Sequence, residues 1–230
     1  MVNKNDYQEA ITKIGSILER YTANHNYAAF GLGAIPKQKS IERNLQNLFS
    51  LKEVQNKNVL DCFNLNGIHS PEIEGGVSGI LKAYEYTLKN YRFLGPTKFS
   101  PCIKHAIDYI RDFNFDKTYH IMLILTDGDV GDMQETKDII IEGCELPLSF
   151  IIVGLGKRSF DKMIELDGDD IILRNAQGLA TNRDIVQFVK YNDCRDKNEQ
   201  FIADRVLEEI PEQVVSYLVQ NNITLDSKSK

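Results

Sequence analysis

Two uninterrupted apolar runs constrain this chain more than any other feature. Ile121-Met122-Leu123-Ile124-Leu125 leads into Thr126-Asp127-Gly128-Asp129, and Leu146-Pro147-Leu148-Ser149-Phe150-Ile151-Ile152-Val153 leads into Gly154. A strand with one wet face alternates apolar and polar side chains. A strand covered on both faces, as in a parallel sheet between helix layers, reads as continuous apolar sequence. Open α/β sheets place ligands outside the carboxyl ends of their strands. Asp127, the first carboxylate after the first run, is therefore the leading candidate site residue. The upstream turn Gly95-Pro96-Thr97 offers a hydroxyl as a second oxygen donor.

The rest of the chain supplies the layers. Ala10, Ile11, Ile14, Ile17 and Leu18 recur at helical spacing and predict an amphipathic helix over Tyr7–Tyr21. Helices are also expected over Ile73–Leu88, Pro101–Phe113, Glu135–Glu142 and Phe160–Leu166. Tyr27–Ile35 reads as a strand, Leu45–Leu51 as a weaker edge strand, and Asn56–Ile73 as loop. Ile171-Ile172-Leu173 is a third candidate strand, and Asp184–Tyr191 a short apolar segment. Phe201–Val219 reads as two helical pieces hinged at Pro211. Strands alternating with helices on short links predict an α/β fold, a doubly wound and mostly parallel sheet with a C-terminal helical extension.

Composition narrows the function. With 33 acidic against 27 basic residues the net charge is −6, so nucleic acid is an unsuitable partner and a bare anionic membrane is disfavoured. No apolar run approaches a membrane span, and Met1–Asp6 lacks the apolar core of a signal peptide. Cys62, Cys102, Cys144 and Cys194 are too dispersed for a disulfide framework or a zinc site and read as reduced thiols.

A family resemblance emerges from motifs taken in order. Tyr7-Gln8-Glu9-Ala10-Ile11, then Ala29–Pro36, Asn66-Gly67-Ile68, Gly79-Ile80 and Ala83-Tyr84 open it. Gly95–Pro101, Thr126-Asp127-Gly128, Leu146–Ser149, Ile151–Gly156, Leu166–Asp169, Arg183–Val189 and Glu209–Val215 continue it. In this order the chain resembles the von Willebrand factor A-type domain of copines. Residues 1–197 are expected to form this domain, N-terminally incomplete, with 198–221 as helices packed on it and the polar 222–230 as a disordered tail.

The resemblance implies a metal-ion-dependent adhesion site at the carboxyl edge of the sheet. There an Asp-x-Ser-x-Ser-like run, a Thr and an Asp hold a cation, usually Mg²⁺, whose open position takes a carboxylate from a partner protein. Hydroxyl and carboxylate oxygens suit such a hard ion. Thr97 and Asp127 match the Thr and Asp positions, with Gly95, Asp129 and Asp132 at the partner-binding rim as solvated loop residues. The family's first strand and its Asp-x-Ser-x-Ser-like run lie upstream of the Tyr-x-x-Ala-Ile helix, whereas only six residues precede Tyr7. Mg²⁺ is accordingly expected to bind weakly or not at all. The strands flanking the missing one are expected to close up, or to pair with another chain in self-association.

The function implied is a non-catalytic protein-interaction module of a copine-like, calcium-dependent phospholipid-binding protein. It is expected to be intracellular and cytoplasmic, reaching membranes peripherally through modules outside this chain. The alternative is an adaptor in protein ubiquitination, as in plant relatives that join a similar domain to a RING finger. More remote is an aspartate-nucleophile phosphatase. Asp127-Gly128-Asp129-Val130 would be its first motif and Leu166-Asp167-Gly168-Asp169-Asp170 its acidic motif, though Gly131 stands where a hydroxyl or Val is usual. Thr97 has a purely structural reading as well, as a cap on the helix that follows it. Gly154-Leu155-Gly156-Lys157 lacks the third glycine of a dinucleotide loop.

Overall fold

The computed structural model describes residues 4–22, 24–37, 59–112, 118–169 and 172–224. They fall into two compact units. One holds the chain up to Ala106 together with Asp129–Met133, and the other holds Ile107–Gly128 and the chain from Gln134 onward.

In the first unit, helix α1 (Asp6–Leu18) opens with a reciprocal capping box. Asn5 accepts from the Gln8 amide, while the Gln8 side chain accepts from the Asn5 amide. Ala10, Ile14 and Ile17, spaced three to four residues apart, are its buried face. Helix α2 (Gly76–Asn90) packs beside it. The entry to α2 is shaped by glycine. Gly75 and Gly76 have φ of 84° and 62°, and a Cβ on Gly76 would lie 1.8 Å from Glu19 Oε1. That carboxylate accepts from the Val77 amide at 3.1 Å and so satisfies the start of α2 from outside the helix.

Among the described residues this unit has five short strands: β1 (Tyr27–Ala28), β2 (Phe30–Pro36), β3 (Leu60–Asn64), β4 (Glu72–Ile73) and β5 (Tyr91–Phe93). β1 pairs with β4, and β2 lies between β3 and β5, all antiparallel. Phe63 and Tyr91 stack across that sheet with ring centroids 4.6 Å apart. Within Asn56–Ile73, which reads as loop in sequence, β3 and β4 form because their partners lie far along the chain. A local pattern carries no such signal. The expected strand Leu45–Leu51 lies outside the described residues.

Helix α3 (Ser100–Asp112) precedes the second unit's parallel sheet. That sheet runs β6 (His120–Thr126), β7 (Leu148–Gly154), β8 (Val186–Lys190), in register His120↔Leu148 and Phe150↔Val186. The α/β fold class expected from sequence is the one observed, with the parallel arrangement, among the described residues, in β6–β8. All seven residues of β7 are buried, and Phe150, Ile151 and Ile152 have no solvent exposure. Each such side chain contributes about 1.5–3 kcal/mol to stability. β6 is an edge strand of this sheet, and most of its residues are only half-buried. Among the described residues no strand pairs with its outer side.

The remaining described helices are α4 (Met133–Gly143), α5 (Asp161–Asp167), α6 (Tyr191–Cys194), α7 (Glu199–Val206) and α8 (Ile210–Gln220). Two expectations need correction. Ile172 and Leu173 lie in no strand, and the third parallel strand is Val186–Lys190, inside the segment read only as apolar. The break between the last two helices spans Leu207–Glu209, and Pro211 sits in the first turn of α8, where its missing N–H costs nothing. Of the expected disordered tail, residues 225–230 lie outside the described residues. No described helix is long and apolar enough to cross a membrane.

Candidate functional site

The carboxyl edge of the parallel sheet is assembled from the ends of β6 and β7 and the start of α6. The Leu155 amide donates to the Thr126 carbonyl at 2.7 Å, tying the two strand ends together. Gly128 turns the chain with φ of 98°, and its amide donates to Thr126 Oγ1 at 3.1 Å. A Cβ on Gly128 would lie 2.8 Å from the Phe160 ring, so glycine is required there by both backbone and packing. Asp127 is left at the strand end with its side chain 51% exposed, and the Arg158 guanidinium stands 3.7 Å from its carboxylate. Asn192 donates to the Gly156 carbonyl at 2.6 Å and closes the neighbouring turn.

The Thr97 loop belongs to the first unit and is held from within it. Gly131 donates its amide to the Thr97 carbonyl at 2.7 Å. Asp132 accepts from the Phe99 and Ser100 amides, each at 2.9 Å, one per carboxylate oxygen. Asp132 is thus the cap of α3, a role open to Thr97 on sequence alone. Asp132 is also buried, at 8% exposure, not a solvated rim acid. Its oxygens are used internally because a helix start without a side-chain acceptor leaves buried amides unpaired. Gly95 and Asp129 are exposed, and Thr97 is half-buried.

These donors can be tested against a hard cation. Mg²⁺ needs six oxygens in near-octahedral array and gives up water reluctantly. Of the candidates named from sequence, Asp132 is committed to backbone amides and Asp127 faces a guanidinium. With a guanidinium beside it, Asp127 is a poor ligand for a tight Mg²⁺ site.

Sequence reasoning missed two arginines. Arg158 follows Gly154-Leu155-Gly156-Lys157, and its signal was a basic pair just past a strand's carboxyl end. Arg183 is buried at 8% exposure. It donates to the carbonyls of Cys144 (2.9 Å), Leu146 (2.6 Å), Leu148 (3.0 Å) and Gln213 (3.1 Å), and to the Tyr119 hydroxyl (3.2 Å). Its guanidinium also sits 5.2 Å from the Tyr217 ring centre.

A second acidic concentration lies elsewhere in this unit. Asp169, Asp184 and Glu209 bring carboxylate oxygens within 4.8 Å of one another. Burial pushes Asp167 up to about 7 and Glu209 up to about 8, each aided by neighbouring carboxylates, and raises Asp184 as well. Asp167, assigned to the phosphatase-like motif in sequence, accepts from the Phe188 amide at 2.6 Å and so fastens α5 to β8.

The copine family model matches residues 1–226. Protein BONZAI 2 of Arabidopsis thaliana is 36% identical over 223 residues, covering 96% of this chain and 35% of that relative. The chain spans about a third of that relative's length. Matched along nearly all of its own length, this chain belongs to the copine family.

Proposed function

We propose that this chain is a non-catalytic protein-interaction module of a copine-like, calcium-dependent phospholipid-binding protein. Its interaction face is the carboxyl edge of the parallel sheet. The observation that carries the proposal is the exposed Asp127 carboxylate at the end of an apolar parallel strand in a chain of this family. Partners of suitable chemistry present a carboxylate. Such a group would be met by the Arg158 guanidinium or by a cation held weakly at Asp127. A charge-assisted contact to arginine is strong enough to serve without a metal. β6 offers a separate surface, an uncharged strand whose outer side could take a strand from a second copy of the chain.

The test is calorimetric titration with Mg²⁺ and Mn²⁺, alone and with an acidic peptide, using Thr97→Ala/Asp127→Ala as the comparison. Weak saturable heat that disappears in the double variant supports an adhesion-type site. Cation binding that survives the double variant removes Thr97 and Asp127 from the proposal. Turnover of p-nitrophenyl phosphate lost in Asp127→Asn would overturn the non-catalytic reading.

A further inference from the structure

Two of the four cysteines lie against the same strand. Cys62 lies in β3, opposite Leu32 of β2 in the antiparallel register. Cys102 lies in the first turn of α3, and its thiol donates to the carbonyl of Gly31, the residue before Leu32, at 3.6 Å. Both cysteines therefore lie beside neighbouring positions of β2, and a hydrogen bond with the Cys62 thiol is the main cause that raises Cys102. Cys144 and Cys194 differ. Their thiols point at backbone carbonyls of Ile140, Arg183 and Tyr191.

We propose that Cys62 and Cys102 form a reversible disulfide, a modification site that fastens the first turn of α3 to the β2–β3 hairpin. A disulfide requires the two Cα atoms within about 7 Å of each other, a condition that two cysteines held beside neighbouring positions of one strand are placed to meet. Exposure sets the order of events. Cys62 is half-exposed, whereas Cys102 is buried at 3%. The hydrogen bond with Cys62, together with burial, pushes the Cys102 thiol up and holds it neutral.

Cys62 is therefore the thiol that meets the oxidant, here a small-molecule disulfide such as oxidised glutathione. The Cys62 thiolate attacks one glutathione sulfur, the glutathione S–S bond breaks, and one glutathione leaves as thiolate. Cys102, giving up its proton, then attacks the Cys62 sulfur of the mixed disulfide and expels the second glutathione. Two protein thiols are oxidised, one glutathione disulfide is reduced, and the two protons end on the departing glutathiones. The product pins the end of the loop that carries Thr97, so oxidation would fix that loop's exit into α3. This inference is independent of the function proposed above.

The test is peptide mapping of the folded chain after equilibration with oxidised glutathione. A peptide pair linked through Cys62 and Cys102, released by dithiothreitol, is the expected result, with Cys144 and Cys194 still free. Cys62→Ser should abolish the link. Cys102→Ser should instead trap glutathione on Cys62, which identifies the attacking and resolving thiols. The wild-type map decides the question even if a variant fails to fold. Both cysteines remaining fully alkylatable, glutathione persisting on wild-type Cys62, or linkage of Cys62 to Cys144 or Cys194 would each overturn the proposal.

Discussion

Replacing Arg183 by lysine should destabilise the second unit although charge and approximate length are kept. The guanidinium donates to four backbone carbonyls and one hydroxyl, which lie on different sides of its planar fork. A lysine ammonium has three donors on one nitrogen and cannot span that set. At least two of the five acceptors are then left unpaired in a buried setting, at about 1–3 kcal/mol each. Partial entry of water reduces the total, so the expected loss is about 3 kcal/mol. For a chain of this size that lowers the thermal midpoint by roughly 6–12 °C. Urea unfolding followed by far-ultraviolet circular dichroism measures the loss directly. Hydrogen exchange should show α8 losing protection first, because Arg183 holds the Gln213 carbonyl and stacks on Tyr217. A lysine variant within about 0.5 kcal/mol of the parent, the range of ordinary surface substitutions, would show that these bonds are not what holds the unit together.

Four further outcomes are expected. Asp167 and Glu209 have folded pKa values raised to about 7 and about 8, against about 4 in the unfolded chain, so the folded state holds more protons in that window. Their contribution is greatest below pH 4 and is lost as pH rises through 8. Asp167→Asn and Glu209→Gln should flatten the stability–pH slope, and an unchanged slope in both would contradict the assignment. Asp132→Ala should cost about 2–3 kcal/mol, because the Phe99 and Ser100 amides lose their acceptor, while Asp132→Asn costs less. A chemical denaturation midpoint unmoved by the alanine would refute its capping role. Arg158→Ala should strengthen any Mg²⁺ binding at Asp127 by roughly two- to fivefold, the size of an exposed charge pair, and should weaken acidic-peptide binding. Weaker cation binding in that variant would show that Arg158 does not compete for the carboxylate. Leu123→Lys, placed in the middle of β6, whose outer side no described strand pairs with, should abolish any self-association seen by sedimentation. Dimer persisting in that variant would place the contact elsewhere.

Much of the architecture was legible in the linear sequence. β6 and β7 could be read because strands covered on both faces must be apolar throughout, and α1 because its core face recurs every three to four residues. Asp127 at a strand's carboxyl end followed from the topology of parallel sheets. What could not be read were elements defined by a distant partner. β3 depends on its register with β2, and β8 is too short and mixed to announce itself before it lies beside β7. The same reason explains the site. Whether Asp132 faces solvent or caps a helix depends on where the Phe99 and Ser100 amides lie, 32 to 33 residues away along the chain. The pairing of Arg158 with Asp127, the five acceptors of Arg183 and the approach of Cys62 and Cys102 to the same strand were also decided only by tertiary structure. Hydrophobic periodicity is a local property of the chain, whereas the partner of a polar side chain is set by which segments the burial of those apolar faces brings together.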